Sequence, residues 1–172
     1  MRIVTLGIFW TLLIDLLAWV IIHFALAYLS LRVPHHLLNH RRWLFRTRPW
    51  ELEGELYDKL FRVRSWKSKL PSGGKVVGSG FSMDRIESME HEYLNRWVLE
   101  TCRSELYHLV SIFPSLLFFL WNPPAAGFGM ILYSLIFNLP LVIVQRHNRP
   151  RFLAAIAEAE QELPSAAPLG SG

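Results

Sequence analysis

The sequence predicts an all-α integral membrane protein with about three transmembrane helices and one amphipathic helix at the membrane interface. Two observations support this fold class. The mean hydropathy of the 172-residue chain is +0.24, and its apolar residues, 52% of the total, are concentrated in a few long runs. Lys and Arg, which give a formal net charge of +4, cluster beside those runs, as is typical of the cytoplasmic face of membrane proteins.

The length of the chain fits one domain. We predict a single membrane-embedded domain that carries a catalytic site over residues 1–163, and a disordered tail over residues 164–172, where Pro, Ser, Ala and Gly dominate. Cys102 is the only cysteine, so an intramolecular disulfide is excluded. The basic residues do not form a stripe on a soluble fold, which argues against nucleic acid as a partner.

The first predicted transmembrane helix covers residues 3–31. About 29 residues at 1.5 Å per residue make a helix of roughly 43 Å, which exceeds the ~30 Å hydrocarbon core and implies tilt. A signal peptide is the alternative, but the run is too long for a signal core and a basic stretch follows it. Asp15 and His23 interrupt the run. An ionisable group inside a membrane points to function unless a neighbouring helix satisfies it.

Residues 42–70 are predicted to lie along the membrane surface. Trp43, Trp50 and Trp66 suit the headgroup level, where an indole places its ring in lipid and its N–H near water. An apolar stripe at spacings of three and four, typical of an amphipathic helix, is formed by Leu52, Leu56, Leu60 and Val63. The Gly-rich segment 71–82 lacks the spacing of a phosphate-binding loop and is predicted to be a flexible loop.

Two further spans are predicted. One is a helix over residues 84–121 that begins polar and becomes apolar after His108, and the other is a transmembrane helix over residues 128–145, with a short helix expected at 154–162. Few charges lie in the turn between the two spans, whereas Lys and Arg flank their other ends. The distribution of positive charge therefore predicts a multi-pass protein of the cell membrane, with its N-terminus outside and its active site facing the cytoplasm.

Two polar clusters lie at the same-side ends of these two spans, one at residues 100–108 and one at residues 145–151. Glu105 precedes His108 by three residues, so their side chains are within reach of each other on one helix. A membrane protein rarely gathers several ionisable groups at one depth without using them. Snorkelling and pairing at the helix ends is the structural alternative for any single residue.

These clusters contain the groups that acyl transfer requires. His108 is predicted to be the general base, because an imidazole oriented by a carboxylate, here Glu105, removes a hydroxyl proton near neutral pH. Glu100 is expected to position Arg103 or to assist the acceptor. An oxyanion needs hydrogen-bond donors. The residues predicted to bind substrate or stabilise the oxyanion are Arg103, Asn138, Gln145, Arg146, Asn148, Arg149 and Arg151.

Two alternatives remain open. The first is a membrane metalloenzyme, a hydroxylase or hydrolase, because Glu105-x-x-His108 has the spacing of carboxylate-bridged di-metal sites and Glu100, His91 and His147 could add ligands. That motif is half of the usual set, and no His-Glu-x-x-His is present, so no metal ligand is assigned. The second is a non-catalytic lipid-binding scaffold.

Several strings carry a resemblance to a known family. They are Trp50-Glu51-x-x-Gly54-x-x-Tyr57, Glu100-Thr-Cys-Arg103-Ser-Glu105-Leu-Tyr-His108, Asn138-Leu-Pro140 and Gln145-Arg146-His147-Asn148-Arg149-Pro150-Arg151. Over roughly residues 42–151 the chain resembles the glycosyl-4,4'-diaponeurosporenoate acyltransferase family, small bacterial membrane proteins that act late in staphyloxanthin-type carotenoid biosynthesis. It departs at Leu109, where that family has an aromatic residue, and at His147, where it has tyrosine.

The resemblance implies transfer of a fatty acyl group to a sugar hydroxyl of a glycosylated carotenoid, or to a hydroxyl of another lipid acceptor. It implies an acyl donor such as acyl-CoA or acyl carrier protein as co-substrate, and no resident cofactor. The expected partners are membrane lipids, the acyl donor, and the glycosylated isoprenoid or other lipid acceptor.

Overall fold

The computed structural model describes residues 6–70 and 90–162, and every regular element in those ranges is helical. The α-helices are α1 Ile8–Arg32, α2 Glu55–Phe61, α3 Val63–Trp66, α4 His91–Val110 and α5 Pro124–Glu162. Short 3-10 helices cover His35–Leu37, Pro49–Gly54, Lys67–Lys69 and Phe113–Leu120. The all-α class is therefore confirmed. The predicted loop at 71–82, the predicted helix start at 84 and the predicted tail at 164–172 lie outside the described residues.

Helices α1 and α5 are long and apolar enough to cross a membrane. Only 11% of the most apolar window of α1 is buried inside the protein, and 28% of that of α5, whereas the core helix of a soluble protein is mostly buried. Large apolar side chains such as Phe9, Leu16 and Phe24 project from α1 with most of their surface exposed. A long exposed apolar surface of this kind suits contact with lipid.

The third expected span does not form as one helix. Helix α4 ends at Val110, and the chain continues after a turn as the eight-residue 3-10 helix Phe113–Leu120. Pro114 has no N–H to donate to the carbonyl of Val110, so the α-helical ladder stops there. At ~2.0 Å per residue the 3-10 helix is only about 16 Å long, which is too short to cross a membrane. The described residues thus contain two candidate spans rather than three.

The expected amphipathic helix within residues 42–70 is replaced by short helical pieces. Leu52, Glu53 and Gly54 adopt left-handed backbone angles, with φ of 50°, 54° and 89°, and Arg62 does so again at 51°. Gly54 explains the first break, because a Cβ at this position would lie 2.8 Å from the carbonyl oxygen of His147 on α5. This close approach of two backbones prevents one continuous helix here. The periodicity of apolar residues carries no information about it.

Helices α4 and α5 pack antiparallel and form the centre of the protein. Trp97 of α4 contacts Phe152 of α5 at a ring-centroid distance of 4.9 Å, and both belong to a buried cluster. Helix α5 runs without interruption through Pro140 and Pro150, so the span expected at 128–145 and the short helix expected at 154–162 are parts of one helix. The apolar stretch and the charged residues 145–151 therefore lie on one continuous helix.

Polar contacts tie helix α1 to the rest of the fold at two places. Asp15 is buried and its Oδ1 accepts hydrogen bonds from Nε1 of Trp121 and Nδ2 of Asn122, each at 2.7 Å. At the other end the backbone carbonyl of Ser30 accepts a hydrogen bond from Arg103 at 3.1 Å. The neighbouring segments therefore satisfy the carboxylate of Asp15. These contacts make α1 part of the fold.

Candidate active site

His108 lies near the C-terminus of α4, partly buried between α4 and α5. Its Nδ1 is 3.0 Å from Oδ1 of Asn138. The amide of Asn138 is itself oriented, because its Nδ2 donates to the carbonyl of Ser134 at 2.8 Å. Nδ1 of His108 must then carry the proton and donate to Asn138. The lone pair is therefore on Nε2, which has no hydrogen-bond partner among the described residues.

The surroundings of His108 keep its imidazole neutral. Burial lowers the pKa of His108 to about 4, and the hydrogen bond that His108 donates to Asn138 offsets only part of this effect. Nearby His23 of α1 lowers the pKa further, because two positive charges close together repel each other. At neutral pH the site presents an unprotonated nitrogen of fixed orientation.

Glu105 does not orient His108, in contrast to the expectation from helical spacing. Its side chain is fully buried, with Oε1 2.7 Å from Nε of Arg146 and Oε2 2.5 Å from Nη2 of Arg149. A buried carboxylate requires a cation or several donors, whereas a neutral imidazole is satisfied by an amide. Asn138, expected to bind substrate, takes the orienting position instead.

Arg146 and Arg149 are committed to holding the charged end of the fold together. Arg146 also donates to Oε1 of Glu51 at 2.7 Å and to a backbone carbonyl of the interfacial segment. Arg149 donates to Oγ1 of Thr101 at 2.9 Å and to a second backbone carbonyl of that segment. The network ties the interfacial segment to both α4 and α5. Neither guanidinium is available to a substrate unless these hydrogen bonds break.

The other predicted binding residues lie away from His108. The expected pair of Glu100 and Arg103 is present, with Nε of Arg103 3.1 Å from Oε2 of Glu100. Asn148 accepts a hydrogen bond from Nζ of Lys67 at 2.8 Å, and Arg151 pairs with Glu55 of α2. Gln145 is buried. These contacts all lie at the charged end of the protein.

The two polar clusters meet in space, but not at the imidazole. Glu105 of the first cluster contacts the arginines of the second, as the sequence-based hypothesis required. His108, however, faces Asn138, and Asn148 follows Asn138 by ten residues, or roughly 15 Å along the helix axis. Because hydrogen bonds reach only ~3 Å, Asn148 and His108 do not serve one reacting centre.

Other chemistries gain little support from the described residues. No group of three or more His, Cys, Asp and Glu side chains converges there in a way that could hold a metal ion. Glu105, which the metal hypothesis needs, is occupied by two arginines. Burial raises the pKa of the Cys102 thiol to about 11, so the thiolate that a nucleophile requires is scarce at neutral pH.

Sequence reasoning missed several residues of the site. Tyr107 and Ser134 were not singled out, and Glu51 was noticed only as part of a motif. A signal was present for Ser134, because a serine four residues before Asn138 on one helix is a local hydrogen-bond partner. Tyr107 has no such signal, because its partner is His23 on α1, 84 residues away.

The fold and the site define an all-helical protein in which an amide-held, neutral imidazole lies beside helices able to cross a membrane. The glycosyl-4,4'-diaponeurosporenoate acyltransferase family matches residues 40–158, well over half of the chain. The chain belongs to this family and is an acyltransferase.

Curated relatives agree with this assignment. A glycosyl-4,4'-diaponeurosporenoate acyltransferase of Staphylococcus aureus strain MRSA252 is 32% identical over 133 residues, which cover 77% of this chain and 80% of the relative. The proteins of the same name from strains bovine RF122 / ET3-1 and USA300 are 31% identical over the same length, with the same coverage. No solved structure matches the chain significantly.

Proposed function

We propose that this protein is a membrane acyltransferase that moves a fatty acyl group from a thioester donor to a hydroxyl of a glycosylated or other lipid acceptor, with His108 as general base. The observation that carries the proposal is the hydrogen bond between Nδ1 of His108 and Asn138, which leaves Nε2 unprotonated and, within residues 6–70 and 90–162, without a partner. The names of the family and of its relatives support a glycosylated diaponeurosporenoate as the acceptor.

The reaction divides into two proton transfers at Nε2. The acceptor O–H gives its proton to Nε2 as the oxygen attacks the thioester carbonyl, forming the new C–O bond and an oxyanion. When the tetrahedral intermediate collapses, the C–S bond breaks and the thiolate takes the same proton back from His108. The products are an ester and a free thiol, and the imidazole returns to its neutral state. Oδ1 of Asn138 accepts a hydrogen bond from Nδ1–H throughout and so stabilises the transient imidazolium.

The arrangement of the helices supports a membrane location for the reaction. Helices α1 and α5 would cross the bilayer, because most of their apolar surface is not buried by protein. Positive charge is concentrated beside the network of Glu105 and Arg149, which supports a multi-pass cell-membrane protein with this end in the cytoplasm. An acyl-CoA or acyl carrier protein would then approach from the cytoplasm. The acceptor would keep its apolar chain in lipid beside α5.

His108→Ala tests the role of the imidazole. We expect acyl transfer, measured by mass spectrometry of the ester product formed by purified protein in vesicles, to fall by about 10²–10⁴-fold. His35→Ala is the matched control, because His35 is exposed and lies in the separate 3-10 helix His35–Leu37. A thermal unfolding curve for each variant separates loss of catalysis from loss of folding. Unchanged turnover in folded His108→Ala would refute the assignment of the base.

A further inference from the structure

A second imidazole and a phenol lie next to His108. Tyr107 precedes His108 on α4, and their rings meet edge to face with centroids 4.8 Å apart. The hydroxyl of Tyr107 is 3.0 Å from Nδ1 of His23, which α1 contributes from the opposite side. Tyr107 therefore contacts the ring of His108 on its own helix and the ring of His23 on α1.

We propose that Tyr107 and His23 complete the reacting centre: the Tyr107 hydroxyl donates a hydrogen bond to the oxyanion of the tetrahedral intermediate, and His23 positions that hydroxyl. The proposal rests on the proposed acyl transfer with His108 as base. It makes Tyr107 a catalytic residue and His23 a positioning residue that acts through it. No proton is transferred by either residue, so the reaction remains balanced by His108 alone.

The direction of the hydrogen bond decides whether Tyr107 can act in this way. When Nδ1 of His23 carries the proton, it donates to the phenol oxygen, and the phenol proton is not used in that hydrogen bond. A phenol oxygen that accepts a hydrogen bond is a stronger donor, since successive hydrogen bonds polarise one another. An oxyanion is also a far better acceptor than a neutral imidazole. The developing negative charge therefore selects this arrangement.

The donors expected from the second polar cluster cannot take this role. Gln145 and Asn148 lie seven and ten residues beyond Asn138, or roughly 10 and 15 Å along α5. Arg146 and Arg149 are held by buried carboxylates. The amide oxygen of Asn138 accepts a hydrogen bond from His108, and its amide nitrogen donates to the carbonyl of Ser134. Tyr107, in contrast, is in ring contact with the base itself.

The ring of His23 is held in place by aromatic packing. It stacks on Trp19 with centroids 5.3 Å apart and an interplanar angle of 22°. Trp19 in turn stacks on the fully buried Phe118 at 4.8 Å. Rigid support of this kind is what a positioning residue requires. His23 precedes the segment 40–158 that matches the family, so α1 would supply part of the site from outside that segment.

The competing explanation is that the bond between His23 and Tyr107 only ties α1 to α4. Four variants separate the two roles: Tyr107→Phe, His23→Phe, His23→Asn and the double variant Tyr107→Phe/His23→Phe. Tyr133→Phe is the matched control, because it removes the same hydroxyl from a tyrosine on α5 that is 41% exposed and, like His23, contacts Trp19. Each variant is assayed as purified full-length protein in vesicles with a long-chain acyl-CoA and a glycosylated carotenoid ester acceptor.

We expect Tyr107→Phe to lower kcat by about 10²–10³-fold, the usual effect of removing one oxyanion donor, with KM nearly unchanged. His23→Phe lowers kcat by a smaller factor, and His23→Asn restores most of it, because the amide N–H takes the place of Nδ1–H. The double variant is no slower than Tyr107→Phe, since His23 acts only through the hydroxyl. Tyr133→Phe retains wild-type kcat.

Wild-type kcat in folded Tyr107→Phe would overturn the inference, as would effects of the two single variants that simply add in the double variant. Equal kcat values for His23→Asn and His23→Phe would overturn the positioning role even if Tyr107→Phe failed to fold. His108→Ala distinguishes the two proposals. Full activity there removes the proposed base, whereas an inactive His108→Ala with a fully active Tyr107→Phe removes only the present inference.

Discussion

Replacing Glu105 by Gln tests whether this carboxylate supports the fold or the chemistry. Its oxygens lie 2.7 and 2.5 Å from Arg146 and Arg149, whose side chains are 17% and 1% exposed. Glu105→Gln keeps the shape but leaves two largely buried guanidiniums without their shared anion. Breaking a buried pair from one side costs about 3–5 kcal/mol. For a protein of this size each kcal/mol corresponds to about 2–4 °C, so the midpoint of thermal unfolding should fall by roughly 6–20 °C.

The midpoint is read from intrinsic tryptophan fluorescence of purified protein in a single detergent. Glu55→Gln is the matched control, because Glu55 pairs with Arg64 and Arg151 by similar distances, 2.7 and 2.5 Å, but has a side chain 45% exposed. Exposed pairs contribute less than about 1 kcal/mol, so this variant should shift the midpoint little. In a second variant, Glu105→Gln/Arg149→Met, removal of one stranded charge should recover part of the loss.

Two outcomes would refute this reasoning. Equal shifts for Glu105→Gln and Glu55→Gln would show that burial of the network adds nothing to stability. A Glu105→Gln variant that unfolds at the wild-type temperature but has lost acyl transfer would return Glu105 to the catalytic role suggested by helical spacing.

Two further predictions concern pH and packing. Burial lowers the pKa of His108 to about 4, and the groups that face it are Asn138, His23 and Tyr107. The unprotonated, active form therefore persists on acidification, and kcat/KM at pH 5.5 should stay within about twofold of its value at pH 7.5. A loss of about tenfold, as for an ordinary imidazole, would contradict this. Gly54 has a φ of 89°, and a Cβ added there would lie 2.8 Å from a backbone oxygen. Gly54→Ala should therefore lower the free energy of unfolding, measured by thermal unfolding, by about 1–3 kcal/mol. Gly129→Ala, which meets nothing within 4 Å, should be harmless, and equal shifts would argue against strain.

Composition predicted two of the apolar helices correctly but not the third. Helices α1 and α5 could be predicted because a membrane span is defined by the length and apolarity of a continuous segment. The passage after His108 has similar composition, but Pro114 ends α4 and the chain continues as a 3-10 helix. A proline in an apolar run either kinks a helix or ends it, and Pro140 and Pro150 are carried inside α5. Packing around each proline decides between these outcomes.

The interfacial segment shows where periodicity misleads. Leucines at spacings of three and four predicted one amphipathic helix, yet the backbone is left-handed at Leu52 and Glu53 and again at Arg62, so the segment forms several short helical pieces. The left-handed turn at Gly54 re-aims the chain so that Glu51 reaches Arg146 and the backbone of Gly54 meets His147. A buried ion pair and a close backbone contact outweigh a modest helical preference.

By itself the sequence determined the features that depend on neighbours along one helix. These are the two candidate spans, the pair of Glu100 and Arg103, and the presence of His108 where α4 passes from polar to apolar sequence. Only the tertiary structure decided that Asn138 orients His108, that Glu105 holds two arginines, and that His23 reaches Tyr107 from α1. The reason is physical: each partner lies 30 or more residues away, and its position depends on how the helices pack.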